Sequence, residues 1–268
     1  MAGMISKFTA ALDLRLVVAE LLEQRDVLPR GLAHPVTFIS MKDRPAELQG
    51  RVPGLNDLPD LFNSDFIQFG AVKVTPKTYY QLMETKQDAL LFPGGAKEAL
   101  SGRRDYPLCW PDKVDFVRTA AKFNATIIPL SAVGMIDSVN VLAEPKEILE
   151  TPFFGDRFEQ LRQNMSMSAA RYDKKGQDEV IGFPLALPKL PARNYFLFGR
   201  PVRTNHLDPK DRDVCMKVYR EVEAQVRRGL DDLVRARQHD PFGDFPKRLA
   251  YERIFGKQAP TFSIDELN

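Results

Sequence analysis

A glycine pair that follows an apolar run is the feature of this chain best suited to binding a ligand. The run Leu90–Pro93 ends abruptly, Gly94 and Gly95 follow, and Lys97 and Glu98 then begin a helix-compatible pattern. A buried strand that leads into a glycine turn is where α/β proteins commonly place ligands. Glycines permit positive φ and close backbone approach, and their N–H groups could face an anion such as a phosphate. Taken alone, an ordinary turn is the simpler interpretation of the pair.

Other reactive side chains are few. The chain has three histidines and two cysteines, Cys109 and Cys215, too few for a disulfide scaffold or a structural zinc cluster. Ser131 lies outside any Gly-x-Ser-x-Gly sequence, so a serine hydrolase is poorly supported. His206 is interpreted as part of the loop and cap before a terminal helix, and His239 as a helix-end residue that favours the helix dipole. Trp110 and Phe116 are interpreted as core residues.

The composition indicates an ordinary folded protein with a sizeable core. Of the 268 residues, 44% are hydrophobic and 28% are charged. The formal net charge of +2 is too balanced to indicate a nucleic-acid partner. No stretch reaches the roughly 20 apolar residues of a membrane-spanning helix. The first residues lack the features of a signal peptide and of a convincing transit peptide, and we expect folded sequence almost from the start.

Hydrophobic patterning in the first half of the chain predicts alternating strands and helices. Residues 11–24 form an amphipathic helix that ends by Pro29, and Thr75-Pro76 opens a second helix that runs toward Lys86. A third helix opens at Asp112. The predicted strands are Val36–Ser40, Phe69–Val74, Ala89–Phe92 and Ala125–Leu130. This order predicts an α/β fold with a largely parallel sheet covered by helices.

The second half of the chain is predicted to end in a strand and a long helix. Residues 156–167 are compatible with a helix, whereas the proline-rich stretch 181–190 suits neither a helix nor a central strand. Tyr195–Val202 is predicted as a final strand. A long terminal helix is indicated by apolar residues at every fourth position, namely Val214, Val218, Val222, Val226 and Leu230. With no repeat and no linker, we predict one domain over residues 1–268.

Three further blocks extend the pattern around the glycine pair and together carry a family resemblance. They are residues 106–111 (YPLCWP), 115–118 (DFVR) and 125–134 (ATIIPLSAVG), downstream of residues 92–100 (FPGGAKEAL). The chain resembles the acyltransferase domain of the plastid esterase/lipase/thioesterase-like proteins, which include the phytyl ester synthases and are related to the diacylglycerol acyltransferase 2 family. The resemblance runs from about Gly31 to Phe262.

The resemblance implies an O-acyltransferase with a glycerolipid-acyltransferase-like fold: a mostly parallel sheet flanked by helices, with a long C-terminal helix. The implied reaction moves a fatty acyl group from acyl-CoA or an acyl carrier to phytol, diacylglycerol or both, with no cofactor. It also implies a chloroplast location, and contact with a membrane or plastoglobule surface where such alcohols reside. For that contact we consider the apolar stretch 181–190; a buried loop under the terminal helix is an equal alternative.

One family motif is absent. A Gly-Asn-His type sequence is expected to supply the base that acyl transfer requires, but residues 7–10 (KFTA) occupy its place. Asp13 matches the acidic end of the motif. His34 belongs to the resemblance and is either a structural histidine near the substrate groove, which we favour, or a replacement base. We expect either a truncated chain, whose missing part would include an upstream hydrolase domain, or a non-catalytic lipid-binding form. A thioesterase is a third possibility.

The remaining site residues surround the glycine turn. The resemblance maps directly onto Gly94, Gly95 and Glu98, and with Phe92 and Pro93 they are predicted to bind substrate. Arg103 and Arg104 carry charges that suit the phosphates of coenzyme A or of a carrier arm, although a solvated helix face explains them equally well. No metal site is predicted.

Overall fold

Two compact units make up the chain. The computed structural model describes residues 12–34, 38, 67, 69–95, 98, 106–111, 114–143 and 185–263. Unit 1 comprises Met1–Asp13, Ser101–Leu142 and Leu185–Asn268, and unit 2 comprises Leu14–Leu100 and Ala143–Pro184. The single domain proposed for residues 1–268 stays a prediction.

Unit 2 contains a three-stranded parallel sheet. Its described elements are α1 (Leu12–Arg25), β1 (Arg30–Ala33), β2 (Val72–Lys73), α2 (Pro76–Glu84) and β3 (Ala89–Leu90). The strand order is β2-β1-β3, with Leu32 opposite Val72 and Gly31 opposite Leu90. The middle strand is the most buried part, with Gly31 and Leu32 both buried. Strands β2 and β3, which α2 joins, both run parallel to β1, as the alternating pattern predicted.

Local backbone signals set the ends of both helices in unit 2. The Thr75 side chain accepts a hydrogen bond from the Thr78 N–H at 2.9 Å, and Pro76 occupies the first turn, as predicted. Helix α1 ends at Asp26, which has φ +54°, and the Val27 N–H donates to the Leu21 carbonyl at 3.3 Å. This left-handed cap ends α1, and not Pro29 as predicted.

Unit 1 is built on an antiparallel ribbon with a long helix across it. Its described elements are α3 (Asp115–Lys122), β4 (Thr126–Ile127), β5 (Leu130–Val133), a 3₁₀ turn (Met135–Ser138), β6 (Val139–Ala143), β7 (Leu185–Pro188), β8 (Tyr195–Phe198), β9 (Val202–Arg203), α4 (Arg212–Ala236), a 3₁₀ turn (Arg237–His239) and α5 (Phe245–Phe255). Strand β4 pairs with β9, and β5 pairs with β8, both antiparallel. The parallel pattern therefore does not extend to residues 125–130.

A β-bulge interrupts the ribbon. Ile127 pairs with Val202 and Leu130 pairs with Phe198, so two residues on one strand face Gly199, Arg200 and Pro201 on the other. The Gly199 N–H donates to the Pro129 carbonyl at 2.8 Å. The extra residue needs an acceptor for its own amide, and Gln225 Oε1 of α4 accepts the Arg200 N–H at 2.9 Å. The predicted strands 125–130 and 195–202 are thus each divided in two at this bulge.

Helix α4 covers the ribbon and carries most of the core of unit 1. The Asp211 side chain caps it by accepting from the N–H groups of Asp213 and Val214. Its buried face contains Cys215, Val218, Tyr219, Val222, Val226, Gly229 and Leu233. The Tyr219 ring centroid lies 5.6 Å from that of Trp110 and 5.4 Å from that of Phe116. Trp110 and Phe116 are therefore core-packing residues, as interpreted from the sequence.

The described part of the chain confirms an α/β protein with five α-helices, a parallel sheet and a long C-terminal helix. Residues 156–167 and nearly all of the predicted strand 36–40 lie outside the described residues. Strand β1, which was not predicted from the sequence, precedes residues 36–40 in the chain. In the stretch 181–190, Leu185–Pro188 forms strand β7 and pairs with β6. In this two-stranded pair β7 is neither a helix nor a central strand, and Pro188 is accommodated at its end.

Candidate functional site

The carboxyl edge of the parallel sheet brings two predicted site segments together. His34 directly follows β1, the middle strand, and the segment Leu91–Gly95 directly follows its neighbour β3. Because parallel strands present their carboxyl ends at one edge, the imidazole-bearing residue and the glycine turn share that edge. In sheets with the order β2-β1-β3, ligands bind at this edge between β1 and β3. The order of the strands therefore makes this edge the candidate functional site.

The backbone of the glycine turn is fixed by its own hydrogen bonds. The Gly95 N–H donates to the Phe92 carbonyl at 3.0 Å, and the Glu98 N–H donates to the Gly94 carbonyl at 3.3 Å. Gly95 has φ +57°, the left-handed conformation that glycine adopts most easily. The turn therefore already uses the Gly95 amide, which corrects the idea that this N–H is free to face an anion.

The surface of the turn is open and partly apolar. A Cβ atom built on Gly95 would meet nothing within 4 Å, so space beside its backbone is available to a ligand. The Phe92 side chain is 49% exposed, whereas Pro93, Gly94 and Glu98 are half-buried. An exposed aromatic ring beside an accessible glycine suits an apolar ligand that passes close to the backbone.

The other predicted site residues are placed less completely. His34 is half-buried, and both it and Glu98 have interaction partners. Asp13 lies in the first turn of α1, but its side chain is outside the described residues. Arg103 and Arg104 also lie outside them. The assignment of Arg103 and Arg104 to substrate binding stays a prediction.

A polar cluster in unit 1 was not foreseen from the sequence. The Tyr106 hydroxyl donates to Asp137 Oδ2 at 2.8 Å and accepts the Gly134 N–H at 2.7 Å. Arg237 pairs with Asp137, and its guanidinium carbon lies 5.1 Å from the centroid of the Tyr106 ring. Burial raises the pKa of Tyr106 from its usual 10 to about 12, so the phenol remains a hydrogen-bond donor well into the alkaline range. The only sequence signal was the position of Tyr106 within the conspicuous block 106–111.

An open groove runs beside this cluster. It has a volume of about 500 Å³ and is lined by Tyr106, Leu230, Asp231, Val234 and Arg235. Tyr106 itself has φ +50°, an unfavourable backbone conformation for a bulky residue. The contacts to Gly134 and Asp137 hold the ring there, so the cluster shapes one end of the groove.

Several nucleophilic or titratable groups have structural roles instead. The buried Ser131 Oγ donates to the Val226 carbonyl of α4 at 2.9 Å, which agrees with the rejection of a serine nucleophile. Cys215 is fully buried, and burial raises the pKa of its thiol. His206 and His239 are exposed outside the regular strands and α-helices, as expected. Among the described residues, no His, Cys, Asp and Glu side chains group as metal ligands.

A buried ion pair fastens the C-terminal segment to the ribbon. The Asp240 side chain is 0% exposed and accepts hydrogen bonds from Tyr195 at 2.7 Å, from the Phe242 N–H at 2.8 Å and from Thr261 at 3.2 Å. Arg193 pairs with Asp240 at 3.2 Å and also donates to the carbonyl of Pro260 at 2.9 Å. Burial opposes ionisation, but the hydrogen bonds and Arg193 outweigh it and lower the pKa of Asp240.

The fold and its edge define an α/β protein with a candidate site at the carboxyl ends of parallel strands, and two known proteins are similar to the chain. The chain is 32% identical over 237 residues to phytyl ester synthase 1, chloroplastic, of Arabidopsis thaliana, an alignment that covers 86% of this chain and 32% of that protein. It is 29% identical over 262 residues to phytyl ester synthase 2, chloroplastic, of the same plant, covering 94% of this chain and 35% of that protein.

These similarities confirm the resemblance to the phytyl ester synthase family. The chain spans about a third of the length of these relatives. No protein-family model and no solved structure matches it. Within the described residues, none of the helices combines the length and apolar character that crossing a bilayer requires.

Proposed function

We propose that this chain is an O-acyltransferase that joins a fatty acyl group to phytol. The observation that carries the proposal is its similarity to two phytyl ester synthases over 86% and 94% of its length. The edge of the parallel sheet supports it, because a glycine turn with an exposed phenylalanine and a histidine stand at the ends of adjacent strands.

In the proposed reaction, the acyl donor lies along the glycine turn with its thioester near His34. The imidazole takes the proton of the alcohol hydroxyl, and the alcohol oxygen forms a bond to the thioester carbonyl carbon. The tetrahedral intermediate then collapses as the carbon–sulfur bond breaks. The departing thiolate receives the proton from the imidazolium, which yields an ester, a free thiol and the neutral histidine.

The donor, the acceptor and the location follow from the same proposal. Acyl-CoA or an acyl carrier would supply the thioester, with Arg103 and Arg104 available for its phosphates. Diacylglycerol is a second candidate acceptor, since it also presents a hydroxyl on an apolar body. Both named relatives are chloroplastic, and we place this chain in the chloroplast on that basis.

The test supplies the purified chain with long-chain acyl-CoA and either phytol or diacylglycerol, and separates the lipid products. Phytyl ester is the expected product. Replacement of His34 by Gln should lower kcat by about a hundredfold or more, the contribution of a positioned general base. His206→Gln is the matched control, because His206 is an exposed histidine in a loop of unit 1.

Two other results would replace the proposal, and a third would change only its mechanism. Free fatty acid formed without any need for alcohol identifies a thioesterase. Tight binding of acyl-CoA without turnover identifies a lipid-binding protein. Ester formation that survives His34→Gln removes His34 from the mechanism while keeping the acyltransferase.

A further inference from the structure

The antiparallel ribbon of unit 1 has one face that points away from helix α4. Along residues 126–133 each odd-numbered side chain is less exposed than its even-numbered neighbours, and one of them, Ser131, donates to a carbonyl of α4. Because side chains alternate between the two faces of a strand, the even-numbered residues point away from that helix. The outer face, as we name it, consists of these residues and their cross-strand partners: Thr126, Ile128, Leu130, Ala132, Phe196, Phe198 and Arg203.

Two large apolar side chains of the outer face are exposed next to each other. Ile128 is 55% exposed and Phe198 is 46% exposed. Phe198 lies opposite Leu130, so Ile128, two residues before Leu130, is the diagonal neighbour of Phe198 on the same face. Single exposed apolar residues are common on proteins, but an adjacent pair that projects from one face can enter an apolar phase together.

The charge beside this apolar pair is of one sign. Arg203 is exposed and is the diagonal neighbour of Ile128 on the other side, and Arg200 is exposed in the bulge. Neither arginine forms an ion pair with a carboxylate of the described residues. The segments 116–136 and 195–207, which contain the strands of the ribbon, have no aspartate and no glutamate. Cations therefore flank the apolar pair with no local anion to neutralise them.

This combination fits a lipid bilayer better than a protein partner. A stable protein interface buries about 800 Å² per partner around an apolar centre, and two exposed apolar side chains fall well short of that. Binding at a bilayer surface needs less, because a few apolar side chains enter the boundary between headgroups and acyl chains while cations meet the lipid phosphates. Unpaired arginines match the negative surface of a bilayer that contains anionic lipids.

We propose that the outer face of the ribbon is the surface by which this chain docks on a lipid bilayer that carries anionic headgroups. Ile128 and Phe198 enter the boundary between headgroups and acyl chains, while Arg200 and Arg203 contact the phosphates. The proposal rests on the ribbon of unit 1 and does not require the acyl-transfer reaction. Its partner chemistry agrees with the proposed function, whose alcohol substrates are lipids.

The first experiment measures sedimentation of the purified chain with phosphatidylcholine vesicles that contain or lack phosphatidylglycerol. The wild-type chain should bind the anionic vesicles and be released from them as salt rises. Arg200→Gln with Arg203→Gln should weaken binding by about twenty-five-fold, since each cation near such a surface contributes about fivefold. Ile128→Ser should weaken binding by about tenfold at every salt concentration, because the lost contact is apolar.

A second measurement locates the inserted side chain. The only tryptophan of the chain is Trp110, whose ring lies against that of Tyr219 in the core of unit 1. Ile128→Trp adds a fluorophore to the outer face, and lipids with brominated acyl chains quench a tryptophan that has entered the bilayer. In anionic vesicles that contain such lipids, the fluorescence of Ile128→Trp should be quenched and that of the wild-type chain should not.

Controls come from exposed residues elsewhere on unit 1. Arg212→Gln with Arg228→Gln removes the same charge from α4, and Ile254→Ser removes an apolar side chain that is 75% exposed. Both controls should bind vesicles as the wild type does, and Ile254→Trp should stay unquenched. Every variant should melt as the wild type does, because all the replaced side chains are exposed.

Five outcomes would overturn the proposal. They are no binding of the wild-type chain to anionic vesicles, unchanged binding in the outer-face variants, equal loss in the controls, no quenching of vesicle-bound Ile128→Trp, and a self-association of the wild-type chain that the outer-face variants abolish. The last would make the outer face an interface between copies. None of these outcomes depends on ester formation, so they leave the acyltransferase proposal untouched.

Discussion

Replacing Gly95 by alanine separates the two roles that a glycine can have in a turn. Gly95 has φ +57°, and a Cβ atom there would meet nothing within 4 Å. Gly256, which ends α5, has φ +61° and the same open surroundings. The two glycines therefore impose the same backbone requirement, but only Gly95 lies at the candidate acyl-donor site.

The stability cost should be small and nearly equal at both positions. A left-handed backbone costs an L-residue about 1–2 kcal/mol. The smaller entropy of the unfolded alanine chain offsets about 0.4–1 kcal/mol of that. Each variant should therefore lose about 1 kcal/mol of unfolding free energy and melt about 2–4 °C earlier. No steric term enters, because neither added methyl group meets the protein.

Donor binding should distinguish the two variants. A methyl group at Gly95 occupies the space through which an acyl donor would approach the turn, and we expect the Kd for a soluble acyl-CoA to rise about tenfold, equivalent to about 1.4 kcal/mol. Titration of a fluorescent acyl-CoA, beside thermal melting, measures both effects on the same samples. If Gly95→Ala binds as tightly as Gly256→Ala while both melt alike, the turn is purely structural and the donor lies elsewhere.

Three further predictions concern the framework of unit 1. A Cβ atom at Gly229 would lie 2.4 Å from Ser131 Oγ, so Gly229→Ala should lower the free energy of unfolding in urea by about 1–3 kcal/mol. Adding Ser131→Ala should restore part of this free energy. If the effects of the two substitutions simply add, the packing argument is contradicted. The pKa of Asp240 lies below its usual 3.8. The ionised carboxylate therefore stabilises the fold above pH 3.8, and this stabilisation is lost as pH falls through the lowered pKa. Asp240→Asn should weaken the dependence of the unfolding free energy on pH in acid, and an unchanged dependence would refute this. Tyr106→Phe removes the acceptor of the Gly134 N–H and should cost about 1–3 kcal/mol, measured by urea unfolding at neutral pH, where a cost near zero would mean that water replaces the hydroxyl.

Elements with strong local signals were predictable from the sequence. The Thr75-Pro76 start of α2 combines a hydroxyl cap with a proline that needs no donor, and the apolar spacing of α4 repeats over several turns. The predicted end of α1 at Gln24 lies one residue from the observed end at Arg25, but the ending was attributed to Pro29 because Asp26, and not a glycine, adopts the left-handed cap. Strand β1 was missed because Arg30–Ala33 is short and its burial depends on flanking strands that come much later in the chain.

The candidate site was predictable in its residues but not in its arrangement. The Phe92–Gly95 block was recognisable from its glycines. Its position beside His34 depends on which strands pair, and pairing between distant segments leaves little local trace. The cluster of Tyr106, Asp137 and Arg237 escaped prediction for the same reason, since its members lie far apart in sequence and meet only in the folded chain.

The β-bulge opposite Pro129 determines which side chains of the ribbon face the core. Val202 lies seven positions after Tyr195, so a regular strand would point their side chains to opposite faces, yet both are buried. The extra residue between Gly199 and Pro201 reverses the alternation and lets both side chains face inward. Loss of that one residue would leave Val202 six positions from Tyr195, where a regular strand keeps both side chains on the core face without a bulge. Chains that share this ribbon should therefore differ by one residue at the bend while both core positions stay apolar.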